Sequence, residues 1–113
     1  KNEKVKTFSK ELNHYVDILS KFSDWIKDRH SNDKDDVSAA ANDYLKTLGF
    51  VSLAYAWIKV LEVSYKDYDS NKKFYDDKIN TAKFFFEKVL PRAEFHYKSA
   101  ISGSSNIMNF KFN

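Results

Sequence analysis

Few residues of this chain have the types and the spacing that chemistry requires. Asp33, Asp35 and Asp36 lie close together, and carboxylate oxygens are ligands that calcium prefers. A calcium loop of the EF-hand type also needs a central glycine and a terminal glutamate, and this segment has neither. We therefore interpret the three aspartates as helix-capping residues in a connector between two helices.

The histidines do not form a metal or catalytic centre. His14, His30 and His96 are far apart, and none has a second ligand three or four residues away on a shared inward face. The chain has no cysteine, so disulfides and thiolate metal sites are excluded. The sequence thus predicts no catalytic residue and no metal site, and its composition suits a reducing, cytoplasmic location.

Cofactor-binding and nucleic-acid-binding patterns are also missing. The chain has two glycines, too few for a dinucleotide or P-loop pattern. Its formal net charge of +3 is mild, and only two of its basic residues are arginines, so we expect no nucleic-acid partner. A basic side of the third helix could contact a nucleotide phosphate, but solvation is the interpretation that we favour. It consists of Lys83, Lys88, Arg92 and Lys98.

The elements that would carry a site are all predicted to be helices. Two glycines and one proline leave few turns, and apolar residues recur every three or four positions. We predict an all-α, up-down antiparallel bundle of three long helices forming a single domain over residues 1–113. The predicted segments are helix one from Lys4 to about His30, a connector from Ser31 to Asp36, helix two from about Asp35 to Tyr65, a connector from Lys66 to Lys73, and helix three from Phe74 onward.

Helix three carries the strongest local signals. Asp69 or Ser70 can cap its start, and Pro91 is predicted to kink it, since proline lacks a backbone donor and crowds the preceding turn. Gly103 is predicted to end it. The remaining residues, from Asn106 to Asn113, are expected to form a short C-terminal turn or helix against the bundle.

Helix two is predicted to be the central helix. Its second half, from Leu48 to Val63, is apolar on nearly every side, so it must be buried on several sides or span a membrane. Lys46, Lys59 and Glu62 interrupt the run too early for a spanning helix, which favours burial. Gly49 costs this helix stability, and close approach of another helix or a local bend would account for it.

Helices two and three have more apolar residues than the predicted core uses, and we call these additional residues the surplus faces. The faces assigned to the core include Val5, Phe8, Leu12, Tyr15, Val16, Leu19, Phe22 and Ile26 in helix one, Val51, Tyr55 and Ile58 in helix two, and Tyr75, Ile79, Ala82, Phe86, Val89, Ala93, Tyr97 and Ala100 in helix three. The surplus faces are Phe50, Leu53, Trp57 and Leu61 in helix two, and Phe84 and Phe95 in helix three.

The packing of three helices against each other can bury one of these surplus faces. We expect the other to be a docking face for something outside this chain. The alternative for Phe84 and Phe95 is that the C-terminal segment folds back over them. Because the chain begins at Lys1 without a methionine or a signal peptide, we expect a C-terminal fragment of a larger polypeptide.

One stretch resembles a known family. The segment from Thr81 to Met108, with the helix from Leu48 to Val60 before it, resembles the extra C-terminal helical domain of a subgroup of acyl-CoA dehydrogenases. Its pattern is an Ala-x-Phe-Phe start, a Leu-Pro pair, a glycine about ten residues later, and an Ile-Met pair. The matching positions include Ala82, Phe84, Phe85, Leu90, Pro91, Gly103, Ile107 and Met108.

The resemblance implies a function only indirectly. It implies a parent oxidoreductase of fatty acid metabolism, a flavoprotein that uses FAD and a glutamate base located in preceding domains. This chain would then be an accessory domain without a cofactor of its own. Its partners would be the rest of the dehydrogenase and possibly a second subunit, with no nucleic acid and no membrane, and the isolated fragment could self-associate. A stand-alone helical module that binds a partner helix is the alternative function.

Overall fold

The molecule is built from helices in the order that the apolar repeats predict. The computed structural model describes the backbone of residues 3–32 and 34–112, and the side chains of residues 3–29, 37–38 and 40–102. Within these ranges the chain is helical and has no strand, which confirms the all-α prediction. The elements are α1 (Glu3–Asn32), α2 (Lys34–Lys66), a 3₁₀ turn (Tyr68–Ser70), α3 (Lys72–Phe84), a π-helical turn (Phe85–Val89) and α4 (Arg92–Phe112).

Contacts between side chains show which parts of the helices lie together. The hydroxyls of Ser23 in α1 and Tyr44 in α2 are 2.7 Å apart, whereas Val5 and Tyr65 border one groove at the opposite end of the same two helices. α3 and α4 both contact α2, and α4 also contacts α1. The bundle is consequently elongated, about 62 Å in its longest dimension.

The core has two parts because the aromatic side chains gather at different levels of the bundle. The larger cluster combines buried residues of α1, α2, α3 and the π turn, and the smaller one surrounds Phe22, which is fully buried. The rings of Tyr44 and Tyr97 meet Phe22 edge-to-face at 5.1 and 5.4 Å, an arrangement that aromatic quadrupoles favour. Members of the larger cluster are Val5, Leu12, Val51, Ala54, Ile58, Leu61, Ile79, Ala82, Phe85, Phe86 and Leu90.

A π-helical turn precedes Pro91. The amide of Leu90 donates to the carbonyl of Phe85 over 2.8 Å, a five-residue step instead of the usual four. The wider turn brings the adjacent Phe85 and Phe86 to the buried side together, with Leu90. Sequence analysis assumed a uniform helical period and therefore omitted Phe85 and Leu90 from the core face. A turn at Leu90 and Pro91 separates the π turn from α4, and the predicted kink at Pro91 stays a prediction.

Both predicted connectors are shorter than expected. α1 continues to Asn32 and α2 already begins at Lys34, so helical backbone covers most of the predicted first connector. At the start of α3 the cap is Asn71, whose side-chain oxygen accepts a hydrogen bond from the amide of Phe74 over 3.2 Å. The expectation of a cap at Asp69 or Ser70 was wrong, because the 3₁₀ turn occupies those positions.

The predicted helix stop at Gly103 was also wrong. α4 runs through this glycine to Phe112, and no glycine in the described part has a positive φ. A glycine supplies conformational freedom without requiring its use, so it ends a helix only where the chain turns. The expected contacts of Ile107, Met108 and Phe110 with the bundle lie outside the residues whose side chains the structure describes.

Candidate docking surfaces

The described part of the chain brings no metal-binding group together. Among these residues, no three histidine or acidic side chains lie close enough to share an ion. The side chains of Asp33, Asp35 and Asp36 are outside the described ones. The predicted basic side of the third helix is solvent-exposed at all four of its positions, Lys83, Lys88, Arg92 and Lys98.

A histidine–aspartate pair links α2 to α4, and no sequence pattern predicted it. Nδ1 of His96 lies 2.8 Å from Oδ1 of Asp43, and the two side chains are only 16% and 25% exposed. The His96 ring also stacks on Phe50 at 6.0 Å and meets Phe95 edge-on at 5.5 Å. The partners are 53 residues apart, so no local spacing could have indicated the pair.

A second polar cluster joins α1 to α4 at the surface. Oε2 of Glu94 lies 3.0 Å from Nζ of Lys98, and Oε1 lies 3.6 Å from Nε2 of His14. The hydrogen bond from Lys98 and the positive charges nearby lower the pKa of Glu94. Burial, with the Glu94 charge as a smaller cause, raises the pKa of Tyr15. This cluster connects α1 and α4 at the surface through exposed charged side chains.

The predicted surplus faces separate into exposed and buried residues. Phe84 and Phe95 are 59% and 67% exposed, and Leu53 is 51% exposed. Phe50 and Trp57 are half-buried against the larger core cluster, and Leu61 is fully buried within it. The exposed residues Leu53, Phe84 and Phe95 thus remain a candidate docking face on α2, α3 and α4. Leu61 is buried and unavailable to a partner.

Sequence analysis missed a larger apolar surface on the outer side of α2. Leu45, Leu48, Tyr55 and Val63 are all exposed there. Tyr55 was assigned to the core, and so was Val16 of α1, which is 45% exposed. When a helix is apolar on nearly every side, its sequence pattern cannot tell which side packs inward. The sequence of α2 indicated only that the helix is apolar on nearly every side. Its packing against the other helices decides which side faces outward.

Two open grooves lie between α1 and α2 at opposite ends of this surface. Val5, Lys6 and Ser9 of α1 border the first groove together with Glu62, Val63, Tyr65 and Lys66 of α2. The second groove is bordered by Ser23, Ile26 and Lys27 of α1 and by Val37, Ala41, Tyr44 and Leu45 of α2. Their walls are mainly apolar with a few lysines, which suits an apolar side chain or an amphipathic helix.

The segment Ala40–Lys66 is long and apolar enough to cross a membrane, judged by length and composition alone. The central helix of a bundle has the same two properties. Only a third of its most apolar stretch is buried in this structure. The absence of a membrane partner therefore stays a prediction, and α2 keeps a large exposed apolar surface.

Comparison with known proteins assigns the family. A family model described as acetyl-CoA dehydrogenase C-terminal like matches residues 1–111. The chain belongs to this family. Neither a curated protein nor a solved structure matches this chain. The family assignment covers the first helix too, where sequence analysis found no specific resemblance.

Three of the family-motif positions lie in the core around the π turn. Ala82 and Leu90 are fully buried, and Phe85 is 6% exposed. Pro91 is exposed directly after the turn, and Gly103 and Met108 lie beyond residues 40–102, the range in which burial is described there. The three buried motif residues thus help to pack the segment around the π turn into the core, a structural role, whereas Phe84 is exposed.

Proposed function

We propose that this chain is the accessory C-terminal domain of an acyl-CoA dehydrogenase-like flavoenzyme. In this role it stabilises the subunit or the oligomer, or borders the acyl-CoA site, and performs no chemistry of its own. The family match over residues 1–111 carries the proposal. It accounts for a bundle whose motif residues are structural.

The exposed apolar surfaces support a docking role. Leu45, Leu53 and Tyr55 of α2, with Phe84 and Phe95 on the third segment, are each more than half exposed. Burying an exposed leucine or phenylalanine side chain stabilises a complex by about 1.5–3 kcal/mol, so these residues favour association with another apolar surface. The rest of the dehydrogenase is the partner that the family assignment favours.

FAD, in this proposal, belongs to the preceding domains of the enzyme. Among the described residues that border the two α1–α2 grooves there is no arginine and no glycine-rich turn of the kind that binds a pyrophosphate. The residues of the grooves therefore do not fit the flavin cofactor. When bound in the parent enzyme, FAD would accept the hydride removed from an acyl-CoA thioester.

The native protein tests this proposal directly. An antibody against residues 1–113 would isolate it from its source, and its mass and visible absorbance would then be recorded. We expect a polypeptide several times larger than 13.3 kDa with a flavin spectrum. A colourless protein of about the mass of this chain would contradict the proposal and favour a stand-alone interaction module.

A second measurement tests whether this domain packs against the rest of the enzyme or is only linked to it through the polypeptide chain. Replacing Phe84 and Phe95 by serine in the full-length enzyme should lower its thermal stability or its oligomer fraction, because their apolar area would lose its cover. Replacing the exposed Thr81 and Lys88 by serine provides the control. Equal behaviour of the two variants would remove these phenylalanines from the docking face.

A further inference from the structure

The two α1–α2 grooves lie on one side of the bundle, and we call the surface that runs from one groove to the other the strip. Leu45 and Val63 border its two ends, and they are 18 residues apart, which is about five turns and returns to the same side of the helix. On α1, Ser9 and Ser23 border the same two ends, and Val16 lies midway between them at steps of seven. Val16 and Tyr55 are both exposed. The strip is thus about 27 Å long, and Val16 and Tyr55 give it apolar area between the two grooves.

This strip lies on the side of α2 away from α4. The contacts that α2 makes with α4 use Asp43, Thr47 and Phe50, none of which borders a groove. α1 and α2 therefore present two opposite sides, and α3 with α4 covers one of them. The open side corresponds to the fourth position of a four-helix bundle.

The charges along the strip are mainly positive. Lys6 and Lys66 border one end and Lys27 the other, and Glu62 is the single acid among the described residues that border the grooves. Between them, Nζ of Lys59 lies 5.4 Å from the centre of the Tyr55 ring, on the same side of α2. A surface with this pattern complements an apolar helix flanked by acids. A second copy of the same strip would bring lysines against lysines.

From this geometry we infer that the strip holds a fourth helix supplied by the flavoenzyme body of the same polypeptide. The occupant is an amphipathic helix of about five turns, with an apolar stripe and with aspartate or glutamate on its flanks. The inference rests on the proposed function, since it takes the body of the parent enzyme as the source of the helix. It predicts that this strip, in addition to the Phe84 and Phe95 face, is covered in the full-length protein.

Photo-crosslinking in the full-length polypeptide tests the inference. Ser52 is exposed midway along the strip, and benzoylphenylalanine would replace it; Thr81, exposed on α3, is the control position. After irradiation and proteolysis, mass spectrometry should find Ser52 joined to one segment outside residues 1–113. That segment should repeat apolar residues every three or four positions and carry acids beside them. The control should not join the same segment.

Charge reversal supplies a second readout. Changing Lys27, Lys59 and Lys66 to glutamate should lower the Ser52 crosslink yield about threefold or more, since each ion pair at a surface contributes up to about 1 kcal/mol. Changing Lys72, Lys83 and Lys88 to glutamate alters the net charge equally and should leave the yield unchanged. Equal loss in both variants would overturn the electrostatic part of the inference.

The outcomes separate this inference from the proposed function. A flavin-containing enzyme in which Ser52 joins nothing, joins lipid, or joins the same strip of another copy overturns the fourth-helix inference and leaves the accessory-domain proposal intact. A colourless native protein without a dehydrogenase body overturns the proposed function. A crosslink to an acidic amphipathic segment of a flavin-containing polypeptide supports both.

Discussion

His96 in α4 and Asp43 in α2 form the closest polar contact between these two helices. With its proton on Nδ1, the imidazole donates to the carboxylate over 2.8 Å, and both side chains are largely covered. Hydrogen bonds to a charged group contribute about 1.5–3 kcal/mol when water is mostly excluded. The pair therefore fixes α4 on the central helix at a defined register.

Removing Asp43 should destabilise the bundle. We expect Asp43→Ala to lower the free energy of unfolding by about 1–3 kcal/mol, because the half-buried imidazole loses its acceptor. Asp17→Ala is a matched control, since Asp17 is an exposed helical aspartate 3.2 Å from Lys21 and should cost less than about 0.5 kcal/mol. Urea unfolding followed by circular dichroism measures both. A double-mutant cycle with His96→Ala should show a coupling energy, and its absence would refute the contact.

Two phenylalanines should respond oppositely to truncation. Phe22 is fully buried among Trp25, Tyr44 and Tyr97, so Phe22→Ala should cost about 3–5 kcal/mol. Phe95 is 67% exposed, so Phe95→Ala should change the stability of this chain by less than about 0.5 kcal/mol. Chemical denaturation of both variants provides the comparison. Similar costs would mean that Phe95 is covered within this chain.

Filling Gly49 should stabilise the chain. A Cβ at this position would meet nothing within 4 Å, and the backbone there is helical. Alanine is favoured over glycine in a helix interior by about 1 kcal/mol, so Gly49→Ala should raise the free energy of unfolding by up to that amount. Ser52→Ala, on the same exposed side, should give a smaller gain. Thermal melts distinguish the two, and destabilisation by Gly49→Ala would reveal a close contact at this glycine.

Glu94 should make stability depend on acid pH. Its pKa is lowered by Lys98 and His14, so the folded state binds the proton less readily than the unfolded state. The resulting stabilisation is present above the unfolded pKa and disappears as the pH falls through the folded pKa. Because the side chain is 37% exposed, the effect should stay below about 1 kcal/mol.

The measurement is the free energy of unfolding between pH 7 and pH 3 for the native sequence and for Glu94→Gln. The native sequence should be more stable than Glu94→Gln at neutral pH, and this difference in the free energy of unfolding should shrink toward pH 3. Glu87→Gln, which removes an exposed acid one helical segment away, controls for the change in net charge. A difference that grows toward acid would have the wrong sign for a lowered pKa.

Residue periodicity predicted much of this fold from the sequence. In α1 and in the segment after Phe74, charged residues occupy one side, so the apolar stripe identifies the buried side; Leu12, Phe22, Ile79 and Ala93 are all buried as expected. Gly103 shows the opposite case, because a residue that permits a turn does not require one. The family motif was also readable from local spacing, although its role in packing was not.

The sequence by itself determined the helical class, the approximate bounds of the first two helices and the family, because these depend on residues close together in the chain. The tertiary structure decided how α2 is oriented, that Tyr55 faces outward and Leu61 inward, and that His96 meets Asp43. These features depend on residues far apart in sequence. A helix that is apolar on all sides has no preferred inward side until its neighbours dock.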